Sequence, residues 1–247
     1  PIVSRHVAAS TLLRNPDGYL PLKDLTSMLE EAAIATGRDD FGIRLGLRGC
    51  VADFGLLGQF MRNAPTLRVA IKDLMGNHFR HSRGAALYVH DETDEQTLGY
   101  MLLADSTSAM QFSMCALAFG SRLVLELTGV EPERINFACR APTVSINKHF
   151  PRSELVFESL QYGLVYPAST LDTPVRGANP ARRQVLGLAI ERYAALGSSD
   201  LRDVVRRAIV QLLVDQKLTA SNVAAHVNMH RRTLSRKLAQ HGTTVHT

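Results

Sequence analysis

The 247-residue sequence predicts an α+β domain over residues 1–180, with helices packed on a small antiparallel or mixed sheet, and then an all-α domain over residues 181–247. Two observations indicate this division. Strand-like runs occur only before Pro180, whereas the segments after it show helical periodicity alone. The charge changes at nearly the same place: residues 1–181 contain 17 Lys and Arg against 19 Asp and Glu, and residues 182–247 contain 11 against 4.

In the first domain, apolar spacing and helix-start signals predict helices at residues 22–36, 41–48, 56–63 and 66–82. Two strand-like runs follow, AALYVHDE and QTLGYMLLA, and the acidic turn between them indicates a β-hairpin. A long helix capped by Ser106 extends to Thr128, and its apolar character on nearly every side predicts burial against the sheet. Shorter strands are expected at residues 134–138, 155–158 and 163–166. The segment PASTLDTPVRGANP is typical of a Pro-rich linker into a helix over residues 181–196.

The general character of the chain predicts a cytoplasmic protein without a membrane span or signal peptide. Its longest apolar run, MCALAFGSRLVLEL, is interrupted by polar and charged residues. Cys50, Cys115 and Cys139 are an odd number without metal-ligand spacing, which favours reduced thiols that serve in packing.

The basic tail contains the pattern of a helix-turn-helix. Apolar residues recur at intervals of three and four residues in DLRDVVRRAIVQLLVDQ, which predicts an amphipathic helix. Asp200 is placed to cap this helix. A second helix is capped by Thr219 or Ser221, and the periodicity then breaks at Asn228, a residue type that tolerates the left-handed backbone of a tight turn. The helix after the turn directs Leu234 and Leu238 inward.

The basic residues of this last helix fall on the face that the two leucines leave free, which predicts a recognition helix for the major groove of double-stranded DNA. Arg231, Arg232 and Ser235 lie in the first turns and are expected to reach base edges. Arg236, Lys237 and Thr219 are better placed for phosphates, and His230 at the start of the helix completes the expected DNA-binding set. The alternative is a solvated basic helix without a partner.

The stretch VAAHVNMHRRTLSRKLAQHGTT resembles the first helix-turn-helix of AraC/XylS-type transcription regulators. The resemblance implies a bacterial regulator of transcription. Regulators of this type carry two helix-turn-helix units joined by a long helix, and this sequence ends where that helix would start. We therefore expect residues 181–247 to comprise linker helices and the first unit, with the second unit absent.

The first domain resembles the arabinose-binding-like sensory domain of such regulators, through LPLKDLTSMLEEAAIATGRDDFGIRLGLRG and GLLGQFMRNAPTLRVAIKDLMGNHFRHS. This resemblance implies that residues 1–180 sense a small effector and pair two chains as a homodimer.

Cations converge where the helix from Thr66 approaches Gly84, and such a cluster suits phosphate or carboxylate groups. The arginine pair followed by Asp105 and Thr107 is loosely similar to the PilZ-type arrangement that binds cyclic di-GMP, which is the leading hypothesis for the effector. One alternative is a neutral sugar or amino acid held in an apolar pocket, and another is a solvated helix end without a ligand. The expected effector-binding residues are Arg68, Lys72, Asn77, Arg80, His81, Arg83, Asp105 and Thr107.

Enzyme motifs are absent from the sequence. It has no nucleophile elbow, no phosphate loop ending in Lys-Ser or Lys-Thr, and no zinc helix with paired histidines, so an enzyme is not expected and a small-molecule hydrolase remains a formal alternative. No cofactor is expected. His78, His81 and His90 could bind a metal, but their spacing lacks a Cys or carboxylate partner and no metal site is predicted.

Overall fold

The structure is a computed structural model that describes residues 20–77, 84–102, 109–196, 201–227 and 229–244. In chain order its principal elements are α1 (Leu22–Thr36), α2 (Phe41–Gly46), α3 (Gly55–Arg62), α4 (Leu67–Asn77), β1 (Ala85–Asp91), β2 (Glu95–Leu102), α5 (Met110–Thr128), β3 (Arg134–Asn136), β4 (Glu154–Val156), β5 (Gly163–Pro167), α6 (Pro180–Leu196), α7 (Leu201–Val214), α8 (Ala220–His226) and α9 (Arg231–Gln240).

The described strands form one mixed sheet in the order β1-β2-β5-β3-β4. β1 and β2 are an antiparallel hairpin, β5 pairs antiparallel with both β2 and β3, and only β3 and β4 are parallel. The predicted hairpin is confirmed. The sheet is mixed because the chain between β3 and β4 crosses over and returns in the same direction, a connection that strand lengths of three residues do not reveal.

Helix α5 forms the centre of the first domain, as its uniformly apolar sequence predicts. Its buried side chains include Met114, Leu117, Val124 and Leu127, which join the core that also contains Leu164 of β5. The helix begins at Met110 with Ala109 at the N-cap position, which is later than predicted; Ser106, the expected cap, lies outside the described residues.

Helix α2 lies directly against α5 because two of its residues have no side chain. A Cβ on Gly42 would overlap the backbone carbonyl oxygen of Gln111, and one on Gly46 would overlap that of Cys115. The amide of Gln111 fixes this contact, since its oxygen accepts from the Gly42 N–H at 2.7 Å and its nitrogen donates to the Asp39 carbonyl at 2.9 Å. The glycines of GIRLGLRG are therefore packing residues.

We expect Gly46→Ala to destabilise the protein by about 1 to 3 kcal/mol, because α2 would have to move away from α5 to admit the methyl group. The matched control is Gly76→Ala in α4, where a Cβ would meet nothing within 4 Å. That substitution should leave stability unchanged or raise it by about 0.5 to 1 kcal/mol. Chemical denaturation of both variants checks the prediction, and equal stabilities would contradict the close contact.

The segment before α6 belongs to the core of the first domain, and its prediction as a linker is wrong. Leu171 and Val175 are buried, and the Leu67 N–H donates to the Thr173 carbonyl at 3.0 Å. Leu171 and Val175, four positions apart with Pro174 between them, supply this packing. The Pro-rich composition does not predict this packing, because such a composition is typical both of linkers and of tightly turned core segments.

Helix α6 is attached to the first domain by Arg183. Its guanidinium stacks 3.8 Å from the centroid of the Phe60 ring and pairs with Asp73 at 2.8 Å. Burial raises the pKa of Asp73 above its ordinary value, although the bond from Arg183 opposes that shift. This half-buried carboxylate pairs with Arg183 and so fixes where α6 leaves the domain.

Helix α7 lies along the outer strand β1. The side-chain amide of Gln211 donates to the Val89 carbonyl at 2.9 Å and accepts from the Val89 N–H at 3.2 Å, so it pairs with the strand as a neighbouring strand would. Val210 packs beside it against Ala86 and Tyr88. The basic tail is therefore docked on the sheet of the first domain.

Candidate functional site

The segment predicted to be a helix-turn-helix consists of α7, α8 and α9, which pack around a small core of their own. Its buried residues are Val205, Ala208, Leu212, Val223, Ala224, Leu234 and Leu238. Leu234 and Leu238 are each 1% exposed, one turn apart on α9, as their spacing predicts. This core fixes which face of α9 is left to solvent.

Hydrogen bonds fix the start of α8 and the turn that follows this helix. Thr219 is the N-cap of α8, and its hydroxyl oxygen accepts from the Asn222 N–H at 3.1 Å, which confirms Thr219 as the capping residue. The Met229 N–H donates to the Ala224 carbonyl at 2.8 Å and closes the turn. Asn228, the residue expected to make the turn, lies outside the described residues.

His230 has a structural position at the start of α9. It is the N-cap, and its Nδ1 accepts from the Arg232 N–H at 3.4 Å, a long bond that orients the ring across the first turn. His230 therefore helps to begin the helix and does not lie on its length beside the basic residues.

The solvent face of α9 carries a concentrated positive charge. Arg231, Arg232, Arg236 and Lys237 are all exposed, and none forms an ion pair with a residue that the structure describes. Ser235 is exposed on the same helix, and α9 contains no acidic residue. The seven residues expected to bind DNA are thus all accessible, and their charges are not neutralised by described parts of the chain.

The expected effector cluster is only partly described. Arg80, His81, Arg83, Asp105 and Thr107 lie outside the described residues.

Among the described members, Arg68 is held by two carboxylates, Asp172 at 2.9 Å and Asp91 at 3.7 Å. The bond to Asp172 raises the pKa of Arg68 and lowers that of Asp172. Asn77 donates to the Asp73 carbonyl at 2.9 Å within its own helix. Lys72 is exposed one turn beyond Arg68.

A cleft of about 610 Å³ separates α4 from the tail. Arg68 and Lys72 line its first-domain wall, and Gln211, Asp215 and His226 line the opposite wall. Two of the three described effector residues, Arg68 and Lys72, therefore face the helices of the tail.

A second cavity, of about 370 Å³, lies between the sheet and α5. Its walls are mainly apolar and aromatic, and include Leu87 and Leu98 of the hairpin, Phe112 and Phe119 of α5, and Leu164 of β5. Such a cavity has the size and composition of a small-molecule site.

Two titratable groups in the wall of this cavity are neutral at neutral pH. Burial raises the pKa of the Cys115 thiol to about 11. Burial also raises the pKa of the Tyr100 hydroxyl, with a further contribution from Cys115. Tyr100 is 8% exposed, and its hydroxyl has no hydrogen-bond partner among the described residues.

Neither a metal cluster nor a membrane span is found in the part of the chain that the structure describes. No three His, Cys, Asp or Glu side chains there are grouped to hold a metal ion. None of the described helices combines the length and the apolar character needed to cross a membrane.

Three tail helices whose last member exposes basic side chains without ion pairs to described residues, joined to an α+β domain with an apolar cavity, form the architecture expected of a DNA-binding regulator with a sensor domain. Over residues 7–175 the sequence matches the family described as the arabinose-binding domain of AraC transcription regulators, N-terminal. The match spans more than half of the sequence, so the chain belongs to this family. It is an AraC-type transcription regulator and not an enzyme.

Relatives agree with this assignment. The chain is 23% identical over 238 residues to the HTH-type transcriptional regulator VirS of Mycobacterium tuberculosis, in both strain CDC 1551 / Oshkosh and strain ATCC 25618 / H37Rv, and the alignment covers 93% of this chain and 69% of VirS. Among solved structures, the transcriptional regulator CdpR from Pseudomonas aeruginosa has a similar fold, with a TM-score of 0.54 and 20% identity over 99% of this chain and 80% of CdpR.

Proposed function

We propose that the chain recognises double-stranded DNA through the solvent face of α9, under the control of a small effector bound by the first domain. The observation that carries the proposal is the set of four exposed cations, unpaired by described residues, on a helix whose opposite face is buried. A helix of this kind matches the width and the negative potential of the major groove.

Roles follow from position along α9. Arg231, Arg232 and Ser235 lie at or near its N-terminal end, from which side chains reach base edges, and Arg232 suits guanine through two parallel hydrogen bonds. Arg236 and Lys237 lie further along and suit phosphates, as does the exposed hydroxyl of Thr219, which can donate a hydrogen bond while it accepts from the Asn222 N–H. A homodimer would place two such helices on successive half-sites.

The test of the DNA proposal is selection of bound duplexes from a random pool at fixed salt. Enrichment of one recurring short sequence is the expected result. If circular dichroism shows that the chain is folded and the pool is nevertheless recovered unchanged, sequence-specific recognition is contradicted.

Control by an effector requires a physical route between the two domains, and Gln211 provides one. Its amide binds both backbone groups of Val89, so a displacement of β1 is transmitted to α7 and from there to the core of the helix-turn-helix. An effector shifts the DNA-competent population only if it binds one docking arrangement more tightly than another.

We expect Gln211→Ala to loosen α7 from β1. Loss of the hydrogen bond to the Val89 N–H should speed hydrogen exchange of that amide by about five-fold to ten-fold, because a net hydrogen bond contributes about 1 kcal/mol. Exchange measured by mass spectrometry checks this, with Gln184→Ala on the exposed surface of α6 as the control. Identical exchange at Val89 in wild type and Gln211→Ala would exclude the route.

A more specific proposal is that the effector is cyclic di-GMP, bound at the arginine cluster. Arg68 is held by Asp172 and Asp91, and Asn77 bonds within its own helix, which leaves Lys72 as the unpaired cation among the described members. Isothermal titration with cyclic di-GMP tests it directly. Binding that is lost on Arg80→Ala with Arg83→Ala would support the clamp, and absence of heat would remove it.

A further inference from the structure

We propose that the cavity between the sheet and α5 binds an uncharged, largely apolar molecule that presents one hydrogen-bonding group to the hydroxyl of Tyr100. The proposal rests on the function proposed above only in treating this molecule as the effector. Three properties of the cavity wall support it: its charge, its polarity and the hydroxyl of Tyr100.

The first property is the charge of the wall. Among the described residues that line the cavity, none is Lys, Arg or His, and the one carboxylate, Asp53, is exposed and accepts from the Cys50 N–H at 2.8 Å. Cys115 remains a neutral thiol because burial raises its pKa. An anionic ligand would therefore lose its hydration without gaining a cation, which excludes carboxylates and phosphates.

The second property is the polarity of the wall. The cavity wall offers mainly the carbon surfaces of side chains such as Leu98, Phe112, Phe119 and Leu123. A sugar would bury several hydroxyl groups there without partners, and a zwitterionic amino acid would bury two charges. Neither a sugar nor an amino acid therefore suits this cavity, and we infer a more apolar ligand in place of these expected alternatives.

The third property is the unsatisfied hydroxyl of Tyr100. Buried hydroxyl groups almost always have a hydrogen-bond partner, and a buried one without a partner costs free energy. Tyr100 lines the cavity and its hydroxyl lacks a partner among the described residues. The oxygen itself is covered, so a ligand reaches it only when the ring moves slightly toward the cavity; one carbonyl or hydroxyl group would then supply the missing bond.

The cavity also adjoins the cleft that faces the tail. Leu87 of β1 and Ile71 of α4 line both spaces. Two residues beyond Leu87, Val89 is paired with Gln211 of α7. Because close-packed walls do not deform without moving their neighbours, a ligand that displaces Leu87 acts on the strand to which the tail is docked.

The test uses defined probes on the whole chain, by titration calorimetry: 2-naphthol, which is neutral with one hydroxyl, naphthalene, 2-naphthoate and arabinose. We expect 2-naphthol to bind, and 2-naphthoate and arabinose to bind at least about ten-fold more weakly. Tyr100→Phe should weaken 2-naphthol about five-fold and leave naphthalene unchanged. The control is Tyr166→Phe, which removes another buried hydroxyl without a described partner, outside the cavity wall.

A second variant, Ala116→Leu, fills the cavity from α5 and should abolish binding of both neutral probes. The proposal would be overturned if neither Tyr100→Phe nor Ala116→Leu weakened the binding of 2-naphthol. It would also be overturned if 2-naphthoate bound as tightly as 2-naphthol. If Ala116→Leu fails to fold, Tyr100→Phe decides alone.

DNA binding measured on the same preparations separates the two proposals. A chain that selects DNA but ignores 2-naphthol contradicts the ligand class and leaves the proposed function intact. A chain that binds 2-naphthol through Tyr100 but selects no DNA contradicts the proposed function and supports the site.

Discussion

Replacing Arg232 by alanine is expected to weaken binding to the selected duplex by about 1 to 3 kcal/mol and to relax sequence preference at one base pair. Arg232 lies in the first turn of α9, exposed and without an ion pair to any described residue, so no internal bond competes with the DNA. Its loss leaves a guanine edge without its partner, and the cost is larger than that of losing a phosphate contact.

The matched control is Arg140→Ala. Arg140 is also an exposed arginine, with 92% of its side chain accessible, but it lies in the first domain and is only 3.7 Å from Glu158. Fluorescence anisotropy with the selected duplex and with duplexes mutated at each base pair provides the measurement. Equal losses for Arg232→Ala and Arg140→Ala would show that only net charge matters and that Arg232 reads no base.

Leu234→Ala is expected to destabilise the helix-turn-helix by about 2 to 5 kcal/mol, because it leaves a cavity in a core too small to compensate. Leu234 is 1% exposed and packs with residues of α7 and α8. DNA binding should be lost as a consequence, although no side chain of the basic face has changed.

The control for that substitution is Leu213→Ala in α7. Leu213 is 55% exposed, so the same truncation removes little buried surface. Thermal unfolding followed by circular dichroism should show an early transition in Leu234→Ala that Leu213→Ala lacks. A single transition at the wild-type temperature in both variants would contradict the packing described for α9.

Much of the fold follows from local sequence. Helix α1 begins and ends where its apolar spacing predicts, from Leu22 to Thr36, and the hairpin, α5 and the three tail helices are all present. The errors occur where long-range packing decides the outcome. The segment around Leu171 and Val175 is part of the core because α4 pairs with it, and no local pattern in a Pro-rich stretch reveals that partner.

The candidate sites also differ in how far the sequence predicts them. The basic face of α9 could be predicted because Leu234 and Leu238 fix its orientation from one helix alone. The roles of Tyr100 and Gln211 could not, since a strand tyrosine and a helix glutamine are ordinary until their neighbours are known. The lack of a described partner for the Tyr100 hydroxyl and the pairing of Gln211 with β1 both depend on the folded arrangement and not on local sequence.

The most direct measurement of the central claim is the dissociation constant of the chain for the selected duplex, measured by fluorescence anisotropy at increasing salt concentration. The proposed contacts predict that log affinity falls linearly with log salt, and that Lys237→Ala makes the slope shallower by about 1 without changing sequence preference. An affinity independent of salt, or a slope unchanged in Lys237→Ala and Arg236→Ala alike, would contradict the assignment of α9 as the DNA-binding face.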